Sequence, residues 1–138
     1  MLQLQWTPDM ETGIEVVDRQ HRELVEQVNR LLQAMRAGKG RKVVGDLLAF
    51  LGRYAVEHFQ TEEEIMRKGG YPEYERHRAV HEAFKRDFAK LAAEYEKQST
   101  AKLALTIEVQ KRVMEWLRQH ILKTDKKAAE YLREHGAV

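Results

Sequence analysis

Between His58 and His81 the sequence HFQTEEEIMRKGGYPEYERHRAVH carries three of the chain's six histidines and a dense group of glutamates around a Gly-Gly-Tyr-Pro turn. His58 and Glu62 are four residues apart, as are His77 and His81. A helix turns about 100° per residue, so each pair occupies one face, one turn apart. Two helices reversing direction at Gly69-Gly70 would aim all four side chains at one place. Imidazoles and carboxylates converging inside a bundle make a metal site.

The elements that must position them follow from apolar spacing. Residues 1–17 read as an irregular arm, with a turn at Trp6-Thr7-Pro8-Asp9 and Trp6 packed as an anchor. Asp18 reads as a helix N-cap. His21, Leu24, Val25, Val28, Leu31, Leu32 and Met35 then recur at three- and four-residue spacing up to Gly38. A second helix is expected from Arg41 to Lys68, with Val44, Leu47, Leu51, Tyr54, His58 and Ile65 as its seam. Leu48, Ala55, Phe59, Glu62 and Met66 lie beside that seam. The seven-residue repeat of Val44, Leu51, His58 and Ile65 is that of bundle packing. His58 and Glu62 therefore stand where apolar residues belong. Burying a carboxylate costs several kcal/mol (on the order of 3–5 once its partner is lost) unless it is paired or binds a metal. Gly45 and Gly52 weaken this helix and allow a neighbour to come close.

Gly69-Gly70 ends the second helix, and Pro72 suits the first turn of the next. Tyr74, His77, His81, Phe84, Phe88, Leu91 and Tyr95 form the cleanest stripe in the chain, so His77 and His81 belong to a core seam. After the polar stretch Lys97-Gln98-Ser99-Thr100, a fourth helix carries Leu103, Ile107, Gln110, Val113, Met114, Leu117, His120 and Ile121 inward. A short amphipathic stretch around Ala128, Ala129 and Leu132 closes the chain. The fold expected is an all-α, antiparallel up-down-up-down four-helix bundle in a single domain. Its parts are the arm (1–17), the bundle (18–122) and a C-terminal segment (123–138) that includes a short helix.

Alternating direction brings His21, His58, Glu62, His77, His81 and His120 to one end of such a bundle. Asp125 is five residues beyond His120, so an ideal helix rotates it about 140° away. Joining the same site requires the backbone to bulge or break between them. Five imidazoles and two carboxylates exceed what one first-row ion accepts. If both carboxylates and an oxygen bridge two octahedral ions, one coordination position stays free for an exogenous ligand. Nitrogen-rich ligation without thiolate suits iron and leaves zinc, copper, cobalt and manganese open.

Bulk properties exclude several alternatives. Apolar residues make up 43% and charged residues 33% of 138 residues, which is enough for one substantial core. The formal net charge of +2 is spread without a basic stripe, which argues against nucleic acid as a partner. The absence of cysteine removes disulfides, thiolate zinc sites and iron–sulfur clusters. The longest apolar run, Leu47 to Leu51, is far too short for membrane insertion, and the first residues lack a signal-peptide pattern. The cytoplasm is the expected compartment.

The order His21, His58-Phe59-Gln60-Thr61-Glu62, His77-x-x-x-His81 and His120-x-x-x-x-Asp125 resembles the hemerythrins, in particular the stand-alone bacterial ones. The words Gly13-Ile14, Asp18-Arg19-Gln20-His21, Gly70-Tyr71-Pro72 and Trp116-Leu117-x-x-His120-Ile121 agree with it. The resemblance covers about residues 6–132, with all seven ligand positions intact. It implies a cofactor of two non-haem iron ions with a bridging oxo or hydroxo group, reversible dioxygen binding, and no catalysis. His77, His81 and His120 would hold one saturated iron, and His21 and His58 the other, which keeps the open position. Glu62 and Asp125 would bridge the pair.

Leu24, Phe59, Trp116, Leu117 and Ile121 stand near the ligands and could form a dry dioxygen pocket that slows autoxidation. Ordinary core packing accounts for the same residues. A di-iron oxidase or ferritin-like protein would carry paired Glu-x-x-His motifs, which are absent, as is His-Glu-x-x-His. An oxygen, redox or iron sensor, and more weakly a peroxidase, are the remaining alternatives. A sensor is expected to carry an output segment, and little precedes residue 18 here, which favours a carrier, store or delivery protein. The expected state is a monomer, with an unidentified dioxygen-consuming protein as a candidate partner. Glu63, Glu64, His135, Lys111-Arg112 and Lys126-Lys127 read as solvated surface.

Overall fold

The computed structural model describes residues 3–97 and 102–138. Four antiparallel rods form the bundle, and no strand occurs among the described residues. The first three are α1 (Glu15–Arg36), α2 (Arg41–Lys68) and α3 (Tyr74–Lys97). The fourth rod is one right-handed helical run with two changes of pitch. It passes through α4 (Lys102–Val109), a π-helical segment (Gln110–Glu115), α5 (Trp116–Gln119), a second π-helical segment (His120–Asp125) and α6 (Lys126–Glu134). The residues at each junction keep α-helical dihedrals, so α6 continues the fourth rod rather than folding back as a separate element. No helix among the described residues is long and apolar enough to cross a membrane.

Glycine stops the first two rods. Gly38 (φ 69°) and Gly70 (φ 67°) take the left-handed conformation that other residues enter at a cost. Lys39 N–H then reaches back to the Ala34 carbonyl and Tyr71 N–H to that of Met66, closing each helix end. Pro72 stands in the turn before α3, not in its first helical turn.

The α1 stripe is buried as its spacing predicts, and so is the α3 stripe from His77 to Tyr95, with Tyr74 at its start half-buried. On α2 the most buried line is Val44, Leu48, Leu51, Ala55, Phe59 and Met66, with His58 and Glu62 in register. Leu47, Tyr54 and Ile65 are only half-buried on its flank, so the true seam is rotated from the predicted one. Gly52 does allow a close approach: a Cβ there would stand 3.1 Å from the Phe88 ring, whereas Gly45 faces open space.

Two further expectations are corrected. Ile107 is 44% exposed, while Leu105, Thr106 and Val109 point inward. The π segment at Gln110–Glu115 inserts one extra residue per turn, which shifts the phase of everything before it. Asp18 is not an N-cap, because α1 begins at Glu15. Its buried carboxylate accepts hydrogen bonds from Thr12 N–H (2.8 Å), Thr12 Oγ1 (2.7 Å) and Gly13 N–H (3.2 Å), binding the arm to the helix. The polar connection expected at 98–100 and the side chain of Leu103 lie outside the described residues.

The arm is held at several other points. Asn29 pairs with both backbone groups of Leu4 at 2.8 Å. Trp6 packs half-buried on the core with the Arg22 guanidinium 5.1 Å from its ring centre, as an anchor. Buried Met10 sits in a 3-10 turn (Pro8–Met10) packed against the second π segment.

Candidate metal centre

The end of the bundle where α1 begins, α2 ends, α3 begins and the fourth rod changes pitch holds seven buried polar side chains. His21, His58, Glu62, His77, His81, His120 and Asp125 are each no more than 5% exposed. Helical spacing marked six of them, Asp125 stood off the α-helical phase, and all seven converge. Asp125 gets there because His120–Asp125 is π-helical: i→i+5 pairing brings residues five apart nearly one above the other.

The carboxylates divide the imidazoles into two groups. Glu62 Oε2 lies 3.1 Å from His21 Nε2 and 3.2 Å from His58 Nε2. Its other oxygen, Oε1, lies 3.2 Å from His81 Nε2 and 3.8 Å from His77 Nε2. Asp125 repeats the pattern, with Oδ2 2.9 Å from His21 Nε2 and Oδ1 3.0 Å from both His77 Nε2 and His120 Nε2. Five donor residues (Glu62, His77, His81, His120 and Asp125) have ligand atoms mutually within 4.8 Å, and so does an overlapping group of four (His21, His58, Glu62 and Asp125). Glu62 and Asp125 belong to both groups. Each carboxylate thus turns one oxygen to each group of histidines.

The same atoms are poorly satisfied by one another. Glu62 Oε1, both Asp125 oxygens, His58 Nε2 and His77 Nε2 are buried without a well-directed hydrogen bond. His81 Nε2 and His120 Nε2 face each other at 3.0 Å. Such orphaned lone pairs are costly in a dry interior, and cations at the two groups would satisfy them. The donor set therefore fits a pair of metal ions.

Electrostatics point the same way. Burial pushes the Glu62 carboxyl up, yet His58, His21 and His81 outweigh it and hold it well below the usual range. Burial and the neighbouring Glu62 push Asp125 up, and His120 and His21 overcome both to hold it low. Burial alone would lower His21, but Asp125 and Glu62 raise it to about 10. His81 is raised in spite of its burial, chiefly by Glu62. His120 is lowered by burial, which its attraction to Asp125 does not fully offset. The carboxylates thus stay ionised inside the bundle and hold positive charge close to them.

Apolar walls lie on both sides. Toward the bundle core a cavity is lined by Leu24, Phe59, Trp116 and Leu117 among others. Ile121 is fully buried in the same core but does not line that cavity. Phe59 stacks on His81 (4.0 Å between centres, 13°) and Trp116 on His120 (4.4 Å, 11°). On the opposite side Ile14, Val17, Met66, Ala128, Ala129 and Leu132 form a second apolar cluster over Glu62, His77 and Asp125. The sequence reading did not anticipate this second wall.

Two supporting residues were also missed. Glu63 is not a solvated charge: its Oε2 lies 2.8 Å from His81 Nδ1, and its side chain is 15% exposed. Gln20 Oε1 lies 2.8 Å from His58 Nδ1. Adjacency to a member of the cluster was the only sequence signal for either one. His135 stays outside the site, exposed and stacked on Tyr131.

Residues 12–132 match the Hemerythrin HHE cation binding domain family. The chain is 34% identical over 135 residues to a bacteriohemerythrin of Stenotrophomonas maltophilia, covering 98% of this chain and 85% of that protein. Against a bacteriohemerythrin of Pseudomonas aeruginosa identity is 33% over 125 residues, covering 91% and 78%. The crystal structure of a wild-type hemerythrin superposes with a TM-score of 0.81 at 29% identity, covering 94% of this chain and 97% of that one. Sequence match, bundle and converging donor set agree: this chain belongs to the hemerythrin HHE cation-binding family.

Proposed function

We propose that this chain binds dioxygen reversibly at a non-haem di-iron centre and acts as an oxygen carrier, store or delivery protein, not as an enzyme. The observation that carries the reading is the orientation of Glu62 and Asp125, each with one oxygen toward each histidine group. In this reading His77, His81 and His120 would hold one ion and His21 and His58 the other, with Glu62 and Asp125 shared between the two groups. A ferrous pair, when bound, would supply the electrons for reversible dioxygen binding. The group with fewer imidazoles, His21 and His58, would be the one left with a position for an exogenous ligand.

The residues around the centre serve reversibility. Leu24 follows His21 by three residues on α1, and Phe59 and Leu117 line the same apolar cavity. This wall keeps water and protons from the ligand position, which disfavours charge separation and slow oxidation. Buried Met10 and the arm close the bundle end beside the second π segment.

The test is anaerobic loading with iron(II) followed by exposure to dioxygen. Near-ultraviolet and visible charge-transfer bands should appear, bleach on deoxygenation, and accompany two irons per chain. Iron well below that ratio, or colour that never reverses, overturns the reading. Leu117→Ala should autoxidise faster; an unchanged rate reduces Leu117 to packing.

A further inference from the structure

Each histidine group contains one imidazole gripped from outside, and the two grips differ in charge. His58 and His81 both turn Nε2 to Glu62 and present Nδ1 outward to an oxygen that can only accept, so Nδ1 is the donor. From His58 the hydrogen bond goes to the amide oxygen of Gln20, and from His81 to the carboxylate of Glu63, each over 2.8 Å. Gln20 is itself fixed, donating from Nε2 to Thr61 Oγ1 (3.3 Å), whose hydroxyl donates to the Glu57 carbonyl (3.1 Å). His21 Nδ1 and His77 Nδ1, by contrast, are buried without a hydrogen-bond partner among the described residues.

An anionic acceptor draws the imidazole proton more strongly than a neutral one, and so makes the opposite nitrogen a better electron donor. We propose that Glu63 and Gln20 are positioning residues that set the two metal positions apart. Glu63, through His81, strengthens the three-histidine position, and Gln20, through His58, leaves the two-histidine position weaker and easier to open. Ligand number already favours the first position, and the outer acceptors widen the gap. This rests on the di-metal reading above.

The test uses the whole 138-residue chain, metal-free, titrated with cobalt(II) while heat and visible absorption are followed. The wild type should bind two equivalents in two resolved steps. Glu63→Gln keeps an acceptor of nearly the same shape but removes the charge, and should weaken the tighter step by about 10-fold. Glu63→Leu, which removes the acceptor as well, should weaken it further. Gln20→Glu should tighten the weaker step and narrow the gap. A Glu63→Gln protein that matches wild type in both steps overturns the role of charge. A Gln20→Glu protein whose weaker step does not tighten overturns the role of Gln20. Fewer than two equivalents in the wild type overturns the di-metal reading and this inference together. Two unequal steps that respond to the variants, in a protein without a reversible oxygenation spectrum, sustain this inference while the dioxygen reading fails.

Discussion

α3 and the fourth rod each bring two side chains to the centre, at different helical pitches. α3 presents His77 and His81 four residues apart on a regular α-helix whose whole buried face keeps one phase. The fourth rod presents His120 and Asp125 five apart and needs a π segment to do so. It contains another π segment two turns earlier, at Gln110–Glu115, where the inward residues are Val113 and Met114 and none of the seven clustered residues is involved. A widened turn is therefore not in itself a mark of function. Only the one that contains His120 and Asp125 aligns chemistry.

The largest test of this contrast removes one side chain from each rod. Asp125 touches both histidine groups, whereas His77 serves one. On the proposed di-iron reading, Asp125→Ala should lose both irons through gel filtration, while His77→Ala should lose iron from its own group and leave its remaining buried partners unpaired, so its melting temperature should also fall. Iron per chain is the measurement. An Asp125→Ala protein that keeps two irons would remove Asp125 from the bridge.

A smaller effect is expected where the two regions meet. The turn between α2 and α3 packs against the last part of the fourth rod, and a Cβ on Gly69 would collide with Leu132 Cδ2 and stand 3.0 Å from Ala137 Cβ. Gly69→Ala should destabilise the fold by about 1–3 kcal/mol through overpacking. The loss should shrink when Leu132→Ala is added, and urea titration of the two single variants and the double variant measures that coupling. Additive losses would show that the clash lies elsewhere.

These residues also show what a sequence can and cannot reveal. Burial at a constant pitch is legible, so the α1 stripe, the α3 stripe and six of the seven centre residues follow from spacing alone. Asp125 was placed by chemistry against spacing, since a carboxylate beyond His120 fitted the donor set but not the α-helical phase. The Gln110–Glu115 bulge left no such clue, and for that reason Ile107 was assigned inward while Leu105 and Val109 hold the position. Glu63 and Gln20 are rotated off the ligand faces and reach a neighbouring helix, a contact between rods that periodicity within one rod does not encode. Asp18 failed for a related reason, because its partners, Thr12 and Gly13, precede its helix.

Asp18 offers a test in which pH supplies the contrast. Burial pushes its carboxyl up, but the hydrogen bonds from Thr12 and Gly13 outweigh this and hold it below its ordinary value in the fold. A depressed carboxylate stabilises the fold above the unfolded value, about 3.9, and that stability is lost as pH falls through the folded value. Asp18→Ala should cost about 1–3 kcal/mol near neutrality, because three donors lose their acceptor. The gap between wild type and variant should close on acidification. Both proteins carry the same seven clustered histidines and carboxylates, so the difference in urea stability between them isolates Asp18. A gap that stays constant down to about pH 3 would assign the loss to packing.

The smallest expected effect bears most directly on the comparison of the two bulges. Lys111 is exposed and lies inside the first π segment. A π turn holds one residue more than an α turn, so deleting Lys111 allows the rod to close into a regular α-helix. Val109 and Val113 then stand three apart and both still face the core, and Leu105 and Thr106 keep their inward phase. The Lys111 deletion should therefore fold, retain full iron and reversible oxygenation, and change stability by no more than about 1 kcal/mol, within the ordinary range for point changes. A protein that lost iron or melted far lower would mean that the first bulge braces the second, because a strain released at Gln110–Glu115 would have been passed through the single turn of α5 to His120. Retention of the centre would instead confine the functional distortion to the six residues from His120 to Asp125.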